Sequence, residues 1–162
     1  MIALSWLPGT ADIGEALAIR MAVFVDEQGF SPDIERDEHD ASAWHVLLRV
    51  DGVVCGTGRI FAEAFGVLRV GRICVSKEYR GRGLGDLIMR ALIDRALRLN
   101  AQEVRLGSQE TVRAFYEKLG FAVCGEGYLE EHCPHVPMAI TRQAMEKLLD
   151  CANCKGCARA NA

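Results

Sequence analysis

Apolar and polar positions recur along this chain in two periods, and the places where one period gives way to the other mark its elements. Ala3 to Leu7 reads as a short strand closed by Pro8 and Gly9. Ile13, Leu17, Met21 and Phe24 then recur every three or four residues, as on the buried face of a helix that Thr10 or Asp12 can cap. WHVLLRV, beginning at Trp44, and VVCGTGRIF are strand-like runs joined at Asp51 and Gly52, a dipeptide suited to a tight hairpin. A turn at AEAFG leads on into VLRVGRICV, so three strands follow one another as an antiparallel meander. Gly56, Gly58 and Gly71 interrupt these strands and are expected at bends or bulges. From Leu84 the helical period returns. Leu84, Leu87, Ile88, Ala91, Leu92 and Leu99 share one stripe, while Asp86, Arg90, Asp94 and Arg98 follow at four-residue spacing on the opposite side. AQEVRLGS reads as a strand, and SQETVRAFYEKLGF as a second amphipathic helix ending at Gly120. FAVCGEGYLEEHCPHVPMAI follows as two strand-like pieces around an acidic loop, and RQAMEKLLD as a last helix.

Composition narrows the function classes. With 162 residues, half of them hydrophobic, the chain fits one domain with a substantial core. The expected domain is 1–142, and 143–162 is a C-terminal helix with a cysteine-containing tail. A net charge of −3 argues against a nucleic-acid partner held by bulk electrostatics. The first twenty residues lack a basic leader, and acidic residues interrupt their apolar run, so neither a signal peptide nor a membrane span is expected. The expectation is a cytoplasmic protein. Of seven cysteines, Cys55, Cys74, Cys124 and Cys133 fall in or beside apolar strand-like segments and are expected as buried free thiols. Cys151, Cys154 and Cys157 form two overlapping CxxC units without an adjacent fourth ligand, so a metal site and free surface thiols both stay open there. His132, Cys133 and His135 are too closely spaced to be read as a metal site, and none is expected in the catalytic centre. His45, beside Trp44, is expected as a packed strand residue.

The candidate chemistry lies in Arg72 to Arg90, RICVSKEYRGRGLGDLIMR, which reads strand, glycine-rich loop, helix. Gly81, Gly83 and Gly85 let backbone approach a ligand closely, and the first N–H groups of the following helix have no intrahelical partner. Such a corner binds phosphate, and Arg80 and Arg82 add two cations to it. A dinucleotide-binding GxGxxG starting at Gly81 fails because position 86 is Asp86, and a Walker loop fails for want of its lysine. What remains is RxxGxG, from Arg80 to Gly85, which resembles the coenzyme A loop of the GNAT superfamily of N-acetyltransferases. AFYEKLGF resembles that family's closing signature. The stretch Arg20 to Gln28, the ExDxxD spacing of Glu35, Asp37 and Asp40, and the acidic loop before His135 and Met138 resemble its ElaA-like bacterial subgroup.

The resemblance implies an α/β fold, strictly α+β: a mixed, mostly antiparallel central sheet with helices on both faces and a cofactor cleft where two central strands diverge. It implies acetyl transfer from acetyl-CoA to a primary amine of a small molecule or peptide. Gly81, Arg82, Gly83, Leu84 and Gly85 with Arg80 would hold the pyrophosphate, the arm would run along Ile73, Cys74 and Val75, and Gln109 would line the same site. A backbone N–H near Cys74 or Val75 would face the thioester carbonyl. Tyr116 matches the tyrosine beside the coenzyme A sulfur and is expected to protonate the departing thiolate. Glu27, Glu130, Glu131 and His135 are open as proton acceptors, with Glu27, Gln28, Glu130 and Glu131 facing the acceptor. Cys74 has no histidine placed to activate it, so direct attack is expected over an acetyl-cysteine relay. A homodimer is compatible with the family. Two rivals stand: an acyltransferase related to acyl-homoserine-lactone synthases, and a non-catalytic acyl-CoA-binding sensor.

Overall fold

The two hairpins expected between Trp44 and Val75 are the frame on which the rest is hung. In the computed structural model, which describes residues 1–150, strands β1 (Ile2–Pro8), β2 (Trp44–Val50), β3 (Val53–Ala64) and β4 (Val67–Val75) pair in that order, all antiparallel. Asp51 and Gly52 both take positive φ, 50° and 85°, at the two-residue turn between β2 and β3. The sheet continues through β5 (Glu103–Gln109), then β8 (Cys133–Thr141), with β6 (Ala122–Val123) and β7 (Tyr128–Glu130) both pairing to β8. Among the described residues only β4 and β5 run parallel, and they pair over Val67–Arg69 against Glu103–Arg105 and no further. Beyond that register the two strands part. This is the mostly antiparallel eight-stranded sheet the resemblance implies.

Helices cover both faces. α3 (Leu84–Arg98) buries Leu84, Ile88, Met89, Leu92, Ile93 and Ala96 against one face, and α4 (Arg113–Lys118) and α5 (Arg142–Leu149) join the same cluster through Tyr116 and Met145. On the other face α1 (Gly14–Arg20) packs Ile13 and Ala16 against Leu47. β2 is therefore apolar on both sides, with Val46, Leu48 and Val50 facing α3 and Leu47 facing α1, and reads as a nearly unbroken apolar run.

The strand glycines stand where the sheet is irregular, as expected: Gly58 lies within the bulge between Thr57 and Arg59, whose longer side runs from Gly71 to Cys74 of β4 with Arg72 at φ 52°, and Gly56 borders the register shift between Leu48 and Arg49. Gly56 and Gly58 also leave room for α3: an added Cβ would come within 2.9 Å of Ile88 and 3.0 Å of Leu92. Other local expectations change. Leu99, expected on the apolar stripe, caps α3 and is half exposed. The helix expected from Ser108 begins only at Arg113, because Ser108 and Gln109 still pair with Val136 and His135 in β5. Cys124 is exposed rather than buried, because it follows the two-residue edge strand β6. α5, expected to begin a tail, buries Met145 completely, and Arg90 reaches back to the Leu148 carbonyl at 2.7 Å. Cys151, Cys154 and Cys157 lie outside the described residues. Among the described residues no helix is long and apolar enough to cross a membrane.

Candidate active site

Where β4 and β5 part, a cleft of about 840 Å³ opens, lined on one side by Ile73, Cys74 and Val75 and on the other by Leu106, Gly107 and Gln109. At its lower end stand Arg80, Gly81, Gly83, Leu84 and Gly85, and at its upper end Phe30, Tyr128, Glu130 and His135. Each end is built differently.

The lower end is made of backbone. Gly81 and Gly83 adopt φ of 76° and 73°, conformations that side chains make costly, and a Cβ on either would project into open space. Gly83 caps α3, so the free N–H groups of that helix's first turn and the positive end of its dipole open beside the loop. Ser76 donates its N–H to Cys55 across β3 at 2.8 Å, so strand alternation points the N–H and C=O of Val75 the opposite way, into the cleft. The Val75 carbonyl accepts from Arg80 Nε at 2.8 Å. The two remaining Arg80 nitrogens donate to both oxygens of Glu27 at 2.6 and 2.7 Å. Those bonds hold Glu27 below its ordinary carboxylate range. Glu27 thus braces the loop arginine from outside the cleft lining, and Arg82 stacks over Tyr79 instead of facing the cleft. An open cradle of left-handed glycines, a helix N-terminus and an unpaired strand edge in line with them fit a diphosphate followed by an amide-rich arm, as in coenzyme A.

Midway, Cys74 and Tyr116 meet the cleft from β4 and α4. Burial pushes the Cys74 thiol up to about 12. Burial, and secondarily Cys74, push the Tyr116 phenol up to about 12 as well. Both groups are therefore protonated at neutral pH.

The upper end is made of side chains. The helix after α1 widens into a π turn, Met21–Glu27, in which Gln28 donates its N–H to Val23, five residues back, at 3.1 Å. That extra residue per turn brings Phe24 and Gln28 to the cleft lining. Gln109 Nε2 donates to Gln28 Oε1 at 2.8 Å. His135, on β8, has Nδ1 3.0 Å from the Cys133 carbonyl, so Nδ1 carries hydrogen and Nε2 is the nitrogen left to exchange a proton, 3.4 Å from Glu130. Its ring stacks on Tyr128 with centroids 5.5 Å apart. A Cβ on Gly107 would overlap the Tyr128 hydroxyl, so glycine there is what lets Tyr128 lie across β5. Glu131 accepts from the Ser31 N–H at 3.0 Å and His132 bonds the Gln28 carbonyl at 3.0 Å, tying the loop after Gln28 to the β7–β8 turn. Glu131 is outside the cleft lining.

The carboxylates of the ExDxxD run are held by arginines, and of the three Glu35 alone reaches the cleft lining. Arg20, fully buried, donates to Glu35 at 2.5 Å and to Asp40 at 2.7 Å. Arg59 donates to Asp37 at 2.6 Å and to Asp40 at 2.7 Å, and Arg72 to the Ile34 carbonyl at 2.8 Å and Asp37 at 3.3 Å. Burial opposes ionisation of Asp40, but the Arg20 and Arg59 guanidiniums outweigh it and hold its carboxyl well below the usual carboxylate range. Three arginines and three carboxylates thus form a closed network that pins the segment 31–41 on β3 and β4. The spacing of these acids is legible in the sequence, but the arginines that hold them are not paired with them by any local pattern. Each arginine stands in an otherwise apolar run, and that was the available signal.

The family model of the acetyltransferase (GNAT) domain matches residues 14–142. Protein YyaT of Bacillus subtilis is 36% identical over 132 residues, covering 79% of this chain and 88% of its own. Among solved structures, ElaA of Escherichia coli superposes with a TM-score of 0.77 at 28% identity, over 86% of this chain and 99% of that one. An acyl-CoA N-acyltransferase of Pseudomonas aeruginosa gives 0.77 at 26% identity, over 87% and 100%. With the family model spanning most of its length, this chain belongs to the GNAT family of acetyltransferases.

Proposed function

We propose that the chain is an N-acetyltransferase that moves an acetyl group from acetyl-CoA to a primary amine by direct attack. The observation that carries this reading is the unpaired edge of β4, running from the Val75 N–H into the left-handed cradle at Gly81 and Gly83. Acetyl-CoA supplies an activated acyl group as a thioester. The Val75 N–H, aimed into the cleft, is placed to bond the thioester carbonyl and to bond it more strongly as that oxygen gains charge. His135 Nε2 takes the proton that the attacking nitrogen must lose, with Glu130 at 3.4 Å steadying the imidazolium.

Tyr116 faces the leaving sulfur. Burial raises its phenol to about 12, so it stays protonated and can donate towards the departing sulfur. Its role in this reading is to donate a hydrogen bond that stabilises the thiolate, and solvent supplies the proton later. Cys74, protonated at neutral pH, is no nucleophile, which favours direct transfer. Glu27 positions Arg80 and does not act as the base, because its carboxylate is already held by two Arg80 bonds.

The test is incubation with isotope-labelled acetyl-CoA and a pooled amine library, followed by mass spectrometry of released coenzyme A and labelled products. A labelled amide that depends on Tyr116 supports the reading. Binding of acetyl-CoA with no labelled product from any amine would leave a sensor in place of an enzyme, and labelling only with longer acyl donors would shift the donor class.

A further inference from the structure

Among the described residues three carboxylates line the cleft, and two are already neutralised. Glu35 is ion-paired with Arg20 at 2.5 Å and Arg72 at 3.3 Å, and Asp86 with Arg90 at 2.7 Å. The third, Glu130, has His135 as its only ion-pair partner among the described residues. The lining arginines are spoken for too: Arg59 by Asp37 and Asp40, Arg69 by Glu63, Arg72 by Glu35 and Asp37, Arg80 by Glu27. Among the described residues no lysine lines the cleft. The acceptor end therefore offers one uncompensated negative charge. Around it the walls are Phe24, Phe30, Ile34 and Tyr128, and the nearby amides of Gln28 and Gln109 bond one another at 2.8 Å.

We infer that the acceptor is a compact monoamine carried on an aromatic or branched apolar body, with its nitrogen in reach of both Glu130 and His135 and its body among Phe24, Phe30 and Tyr128. This rests on the acetyltransferase reading above and narrows its substrate. One carboxylate and aromatic faces suit one ammonium. A second or third ammonium would enter without a counter-charge, and burying an unpaired charge is strongly unfavourable. A sugar would exchange hydrated hydroxyls for apolar walls and for amides already paired with each other. The bonds from Ser31 to Glu131 and from His132 to Gln28 close the strand-end side, and the acceptor shares the cleft with the donor's arm, so an extended peptide lacks a straight path.

The experiment compares initial rates of coenzyme A release by the full-length protein with 2-phenylethylamine, spermidine, glucosamine and a lysine-bearing peptide. Coenzyme A affinity is measured separately by calorimetry. The expected result is a kcat/KM for 2-phenylethylamine at least about tenfold above each of the others. Glu130→Gln should raise its KM by about tenfold with coenzyme A affinity unchanged, and Tyr128→Ala should shrink the preference over spermidine to about threefold or less. Equal or faster turnover of spermidine, glucosamine or the peptide overturns the inference while leaving the acetyltransferase reading intact. Coenzyme A binding with none of the four acetylated also overturns it. Failure to bind coenzyme A removes the acetyltransferase reading itself.

Discussion

The two ends of the cleft are built by different means. At the end proposed to take the donor, the lining is main-chain, set by two left-handed glycines and the start of α3, and few side chains take part. At the acceptor end the groups are side chains from four distant segments, and the segment that presents Phe30 and Ile34 is held down by a buried charge network. A backbone site keeps its shape as long as the fold does. A side-chain site depends on every partner that neutralises its neighbours, so a single charge change at the network should be felt as both lost stability and altered acceptor binding.

The sharpest way to break this contrast is Asp40→Asn. Asp40 is buried and accepts from both Arg20 and Arg59, so removing its charge leaves buried guanidiniums undercompensated, at a cost of about 3–5 kcal/mol. Urea denaturation with and without coenzyme A checks this; a loss under 1 kcal/mol would mean the network is not what holds the segment. The same pair of aspartates gives a pH signature. Asp37 and Asp40 are both depressed in the folded state, so their contribution is complete above their unfolded value near 4 and fades as pH falls below it. The wild type should therefore lose more melting temperature between pH 7 and pH 3 than Asp40→Asn does.

Next in size comes Tyr116→Phe, which tests the middle of the cleft. Loss of one hydrogen bond to the leaving sulfur should lower kcat by about a hundredfold while coenzyme A affinity and melting temperature hold. An unchanged kcat would remove Tyr116 from the chemistry. The smallest expected effect is at the brace of the donor end: Glu27→Gln loosens Arg80, and a half-exposed pair of this kind is expected to weaken donor binding by only about two- to fivefold. A loss as large as that for Tyr116→Phe in kcat would show Glu27 acting as the base instead.

This contrast also separates what the residues alone disclosed from what they did not. Glycines at positions 81 and 83 report backbone conformation directly, because only glycine is comfortable at φ near 75°, so the donor corner was legible as a spacing. The hairpin turn at Asp51 and Gly52 and the ion pairs of Asp86 with Arg90 and Asp94 with Arg98 were legible for the same local reason. The pairing of Glu35, Asp37 and Asp40 was not legible, because their partners Arg20, Arg59 and Arg72 stand on other elements. Likewise nothing local announced that Tyr128 would lie over Gly107 against His135, about a hundred residues from the Phe30 that completes the wall. The π turn that delivers Phe24 was read as an ordinary helix, since its apolar spacing satisfies both periods.

The central claim is that acyl-coenzyme A binds with its diphosphate in the cradle at Gly81 and Gly83. The direct measurement is a calorimetric titration of coenzyme A into the wild type and into Gly83→Trp, whose side chain would fill that cradle from a left-handed position. One site is expected in the wild type and at least about a hundredfold weaker binding in the variant, with its circular dichroism retained. Equal affinity in the two proteins, or no binding to either, would contradict it.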